Sequence, residues 1–162
     1  MYAAFVSDAP DILNLLLKKG ANPQKKDMGW SCLYHAIIGE RIKNVICLLN
    51  YGVPVDQRDF EERTPLMISV FLSNLDILSL LLTHGADINA RDKHGLIALQ
   101  LAIMWRKRDA SILLIKSGSD MTVLTASKQT TLSQLCKTSM PKVLRYIEHL
   151  SDSMAIKVPS HK

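Results

Sequence analysis

The sequence predicts an all-α solenoid of about five stacked helix-turn-helix repeats. Three periodic observations carry that expectation. Gly20, Gly52, Gly85 and Gly118 each close a leucine-rich run, at spacings of 32, 33 and 33. Twenty-one residues before the last three stand Ser31-Cys32-Leu33, Thr64-Pro65-Leu66 and Ile97-Ala98-Leu99, and the next step of 33 lands on Thr130-Thr131-Leu132. Three residues past each of those leucines comes Ala36, Ser69, Ala102 or Leu135. A period of this length marks a supersecondary unit that cannot bury its apolar face alone and so stacks on copies of itself.

Each unit follows from local chemistry. A partial first copy, residues 1–26, supplies the run Leu15-Leu16-Leu17 and ends at Gly20. The second copy, 27–58, carries its first helix from Cys32 and closes at Gly52. The third, 59–91, is the best formed. Thr64 is placed to cap the first helix and Pro65 suits its first turn. Ser73-Asn74 breaks the pattern between helices. Ile77, Leu78, Leu80, Leu81 and Leu82 give the second helix its apolar face, and Gly85 supplies the left-handed residue that ends it. The fourth copy, 92–124, repeats this through Gly118, with Arg106 to Arg108 in the turn between its helices. The fifth, 125–150, places Pro141 in that same turn, and Val143, Leu144, Tyr146 and Ile147 then repeat Ile77, Leu78, Leu80 and Leu81. Residues 151–162 are a polar C-terminal tail.

Composition bounds the chemistry. The chain has 162 residues, of which 48% are hydrophobic, enough for a core without metal or disulfide staples. No apolar run is long enough to cross a membrane. Asp8, Asp11 and Lys18 interrupt the first apolar stretch, which therefore does not resemble a signal peptide. Cys32, Cys47 and Cys136 form no metal-binding spacing and fall at packed positions of their units, so inert core thiols in a reduced, cytoplasmic or nuclear setting are expected. The net charge is +5. Residues 1–121 carry 14 Lys+Arg against 13 Asp+Glu, and residues 122–162 carry 6 against 2. The basic excess thus belongs to the C-terminal segment, and no basic stripe suggests nucleic acid. Trp105-Arg106-Lys107-Arg108 is the one basic cluster in the repeats, and in register it is a solvated turn. No phosphate loop, zinc-binding helix or nucleophile motif is present. No catalytic residue, cofactor, metal or small-molecule substrate is expected.

Thr64-Pro65-Leu66, Leu80-Leu81-Leu82-Thr83-His84-Gly85-Ala86-Asp87-Ile88-Asn89-Ala90 and Asp92-Lys93-His94-Gly95 resemble the ankyrin repeat. The resemblance covers nearly the whole chain and implies helical pairs joined by β-turn tips. It also implies a non-enzymatic module that binds another protein in a concave groove. The family's Thr-Pro-Leu-His ends here in Tyr34, Met67, Gln100 or Ser133, never in histidine. That departure puts the histidine's inter-repeat hydrogen bonds in doubt. Asn89 resembles the asparagine that an oxygen-dependent hydroxylase modifies in many ankyrin repeats, although a turn residue bonding the backbone explains it equally. In size the chain resembles the ankyrin-repeat inhibitors of cyclin-dependent kinases. A regulatory or scaffold subunit acting on a kinase or cell-cycle regulator is the implied role.

The resemblance also fixes which positions face a partner. The second copy places Asp27, Met28, Trp30, Ile38 and Gly39 there. The third places Phe60, Glu61, Arg63, Phe71 and Leu72, and the fourth Lys93, His94, Leu96, Met104 and Trp105. The fifth places Ala126, Ser127, Gln129, Lys137 and Thr138. Only nine residues of the chain are aromatic Phe, Trp or Tyr, yet both tryptophans and two of the three phenylalanines fall in this set. The expected partner-binding residues are Met28, Trp30, Phe60, Arg63, Phe71, Leu96, Met104 and Trp105. Aromatic residues, Met and Arg are enriched at interface centres.

The C-terminus admits a second resemblance. Leu132, then Cys136, then Met140 resemble the elongin-binding element of a suppressor-of-cytokine-signalling box, and Val158-Pro159 lies near where that family's cullin-binding segment begins. Such a chain would be a substrate receptor of a cullin-elongin ubiquitin ligase. Pro141 argues for the terminal repeat instead, because proline inside the box's helix costs about 3 kcal/mol.

Overall fold

A computed structural model describes residue 4 and residues 7–27, 29–121, 141–143 and 145. Seven helices lie among the described residues: α1 Pro10–Lys18, α2 Cys32–Ile38, α3 Ile42–Asn50, α4 Pro65–Leu72, α5 Leu75–Thr83, α6 Ala98–Met104 and α7 Arg108–Lys116. They form two layers. The first helices α2, α4 and α6 pack in sequence, and the second helices α1, α3, α5 and α7 pack in sequence behind them. No strand is present among the described residues. An isolated antiparallel bridge joins Asp27 and Trp30 at a tip. The fifth repeat and the tail, with Leu132 and Cys136, lie outside the described residues, as does Met28.

Every helix end repeats along the stack. Each second helix ends in a left-handed glycine, Gly20, Gly52, Gly85 or Gly118. The next amide then reaches back to the last turn, as Ala21 to the carbonyl of Leu16 at 3.0 Å and Ala86 to that of Leu81 at 3.1 Å. The first helices close by the same bond, Arg41 to Ala36 at 2.8 Å, Asn74 to Ser69 at 3.2 Å and Lys107 to Ala102 at 2.8 Å. Their left-handed residues are Glu40, Ser73 and Arg106, none of them glycine. The inter-helix turn is one residue shorter than the sequence suggested, since Arg108 is already the first residue of α7. In the third repeat Thr64 accepts from the amide of Met67 at 3.4 Å, and Asn74 accepts from that of Ile77 at 3.0 Å.

The core runs the length of the stack between the layers. Leu33, Ala36 and Ile37 of α2, Leu66 and Val70 of α4, and Leu99, Ala102 and Ile103 of α6 face Val45, Leu48, Leu78, Leu81 and Leu114. The small residue at Ala36, Ser69 and Ala102 keeps the paired helices close, and Ser69 satisfies its hydroxyl by donating to the carbonyl of Leu66 at 2.7 Å. Cys32 and Cys47 are buried free thiols.

The lost histidine is replaced differently in each repeat. The Tyr34 hydroxyl reaches into the next repeat and lies 3.0 Å from the carbonyl of Gln57, with the carbonyl of Arg63 also in hydrogen-bond contact. An inter-repeat bond therefore survives there. Gln100 accepts from the amide of Ile97 at 3.0 Å and closes its own helix start. Met67 is simply buried.

Candidate protein-binding face

The tips are built on buried aspartates. Asp59 Oδ1 accepts from the amides of Glu61 and Arg63, both at 2.9 Å, while its Oδ2 accepts from Arg63 Nε at 2.8 Å. Asp92 holds the amides of His94 and Leu96 the same way, at 2.9 Å each. These carboxylates replace backbone partners that a tight turn leaves unmade. The display positions drew attention away from both residues. The signal for them is the recurrence of Lys26-Asp27, Arg58-Asp59 and Arg91-Asp92. The basic member also works: Lys26 Nζ donates to the carbonyl of Arg58 at 2.7 Å, and Arg58 Nη1 donates to that of Arg91. Each cation thus pins the next repeat.

The second repeat's tip is one residue shorter than the others. The Asp27 amide bonds the carbonyl of Trp30 at 2.8 Å, whereas the matching bonds run from Asp59 to Arg63 and from Asp92 to Leu96. Asp27 therefore corresponds to Asp59, not to Phe60. The spacing of 32 rather than 33 was its trace in the sequence. Phe60 folds its ring over the vacated room. A Cβ on Gly29 would lie 2.3 Å from that ring.

Two apolar patches result. The first surrounds an open cleft of about 470 Å³ lined by Asp27, Trp30, His35, Asp59, Phe60, Glu61 and Arg63. Phe60 stands out at 73% exposed. Trp30 does not: it is half-buried, packs against the core and meets His35 edge-on with ring centres 6.0 Å apart. The second patch lies along the first helices. Phe71 and Met104 are 57% and 52% exposed. Trp105 is half-buried and meets Phe71 edge-on at 5.4 Å, with Lys107 Nζ 6.0 Å from the Phe71 ring centre. Leu96 is half-buried against the core, as are Ile38 and Leu72. So of the seven expected residues that are described, three stand clear of the surface, and four are packed or half-buried around them.

Electrostatics mark the same face. Lys93 pairs with Glu61 across neighbouring tips, and its hydrogen bond holds the Glu61 carboxyl below the usual value. The Lys93 amide also donates to the Glu61 carbonyl at 3.0 Å. Burial lowers the His35 pKa. Burial pushes the Cys32 thiol up to about 11, and it raises Cys47 as well. Thiols held in that form are poor nucleophiles. Among the described residues, no group of three or more His, Cys, Asp or Glu is placed to hold a metal. No described helix is long and apolar enough to cross a membrane. Asn89 Oδ1 accepts from the amide of Asp120 at 2.8 Å, so its side chain joins two repeats.

Stacked helix pairs with projecting tips and an aromatic front define a helical-repeat interaction module. The family model for ankyrin repeats in groups of three matches residues 1–92 and 62–125. The chain belongs to the ankyrin-repeat family, whose repeats bind other proteins and are typically non-enzymatic. Comparison with the curated proteins finds no match.

Proposed function

We propose that this chain is a regulatory or scaffold subunit that holds a partner protein on its tip-and-first-helix face. Phe60, Phe71 and Met104 serve as anchors, while Trp30, Arg63, Leu96 and Trp105 shape the surface beneath them. The observation that carries this reading is three large apolar side chains exposed on one face, where a soluble monomer gains nothing from them. Met28 belongs to the same proposal by its position in the second tip. A kinase or cell-cycle regulator is the partner class that the resemblance in size suggests, and a cytoplasmic or nuclear site suits such a partner.

The half-buried state of Trp30 and Trp105 decides the test. Replacing either tryptophan removes packing as well as display, so loss of capture would be ambiguous. Phe60, Phe71 and Met104 are free of that objection. The triple variant Phe60→Ala, Phe71→Ala, Met104→Ala is expected to keep its melting temperature. Its capture of the wild-type chain's partners, read by quantitative mass spectrometry, should fall at least about tenfold. Equal capture by the two chains would refute the assignment of this face. The ligase-receptor reading rests on Leu132 and Cys136. It has a separate test in co-purification with elongin B and C, which the double substitution of those residues should abolish.

A further inference from the structure

The stack has an unfilled end. In register, Ile12 of α1 corresponds to Asn44, Ile77 and Ala110, and Leu16 corresponds to Leu48, Leu81 and Leu114. The inner counterparts are all buried, at 0–2% exposed. Ile12 and Leu16 are instead 54% and 43% exposed, and Leu15 between them is 57% exposed. The counterparts are buried because a preceding repeat lies against them. Asn44, for example, bonds the carbonyls of Ala4 and Ser7 at 3.2 and 2.6 Å. In α1 that side faces solvent, while Leu13 and Leu17 face the core. A terminal repeat that ends a solenoid in water carries a polar outer face. This one carries a row of aliphatic side chains.

We propose that the outer face of α1 is a dimerisation surface, on which α1 of a second copy of this chain packs antiparallel about a two-fold axis. The charge pattern selects that occupant. Asp8 and Asp11 lie at the N-terminal end of α1, Lys18 and Lys19 at its C-terminal end, and all four are exposed. Antiparallel packing sets the aliphatic row of one helix against that of the other. It also brings the acidic end of each α1 over the basic end of its mate. A parallel arrangement would set like charges together. The helix dipoles favour the antiparallel pair as well. A nine-residue helix buries little area, so the association is weak and concentration-dependent.

Sedimentation equilibrium of the full chain tests this over about 5 to 200 µM, a range that brackets weak association. The mass is expected to rise from 18.1 kDa towards twice that value. A mass that stays at 18.1 kDa throughout overturns the proposal, and the face then belongs to a different helical partner. Leu16→Glu, at an exposed site, should leave the circular dichroism unchanged and weaken association at least about tenfold. Unaltered association of that variant also overturns it. Charge reversal reports the geometry. Asp11→Lys alone and the pair Lys18→Glu, Lys19→Glu alone should each weaken self-association. An equimolar mixture of the two should dimerise again, because each chain's new charge meets its complement. Failure of the mixture to recover excludes the antiparallel arrangement.

Discussion

Glu62 holds a left-handed backbone, φ 56°, at the tip position that Gly29 and Gly95 fill in the neighbouring repeats. A side chain there crowds its own carbonyl, whereas glycine does not. The Glu62 side chain is exposed, and its carbonyl, which accepts from Arg58 Nη1 at 2.7 Å, would be kept by glycine. Glu62→Gly is therefore expected to stabilise the fold by about 1 kcal/mol, net of glycine's larger entropy when unfolded. A higher urea midpoint at unchanged slope is the readout. The period alone does not disclose this residue, because an L-residue in a left-handed turn has no mark of its own. It becomes legible only when Gly29 and Gly95 are aligned on either side. His35 gives a second prediction at this scale. Burial lowers its pKa below 6.5 in the folded chain, so the unfolded chain binds its proton first. The neutral ring's contribution is thus fully present above the unfolded pKa and is lost as pH falls through it towards the folded value. In a Trp105→Phe background, Trp30 fluorescence should titrate with a midpoint below 6.5, and His35→Gln should abolish that titration.

Among the helices, capping separates the third repeat from its neighbours. Both of its helices begin on a side chain that accepts an amide hydrogen, Thr64 on α4 and Asn74 on α5. No side-chain oxygen accepts an amide at the starts of α2, α3, α6 or α7, where Ser31, Arg41, Ile97 and Lys107 stand. A cap is worth about 1 kcal/mol, and repeats in a stack open semi-independently. Amide hydrogen exchange is expected to be slowest in α4 and α5. Faster exchange there than in α2 or α6 would show that stacking, not capping, sets local stability. This ordering was legible in advance, since Thr64-Pro65-Leu66 is the best-formed start in the chain. The shortened second tip was not, because an Asp27 set against Phe60 satisfies the average period equally well. Only the bond from Asp27 to Trp30 places it opposite Asp59. Partner positions suffered from a similar limit. Periodicity names which residues fall on the front, but burial is decided by neighbours. Trp30 and Trp105 found ring partners in His35 and Phe71, while Phe60 and Met104 stayed in solvent.

Across the whole molecule, one register position becomes a probe of stacking. Leu16, Leu48, Leu81 and Leu114 sit at the same place in successive second helices. The last three are fully buried, and Leu16 is 43% exposed. Removing a buried leucine side chain costs its transfer free energy and leaves a cavity, together about 2–5 kcal/mol. Leu16 has neither full burial nor a helix in front of it, so Leu16→Ala should cost under about 1 kcal/mol in the monomer. Leu48→Ala and Leu81→Ala, each flanked by second helices on both sides, should fall in the upper range. Urea unfolding at low micromolar protein, where chains are dissociated, measures the series. Equal costs at Leu16 and Leu81 would mean that something covers α1 within a single chain. A small cost at Leu16 that grows with protein concentration would locate the missing cover in a second molecule. Sequence alone presents the four leucines as equivalent, because the pattern is the same at each. Their energies differ because a solenoid has ends, and only at an end does an interior pattern meet water.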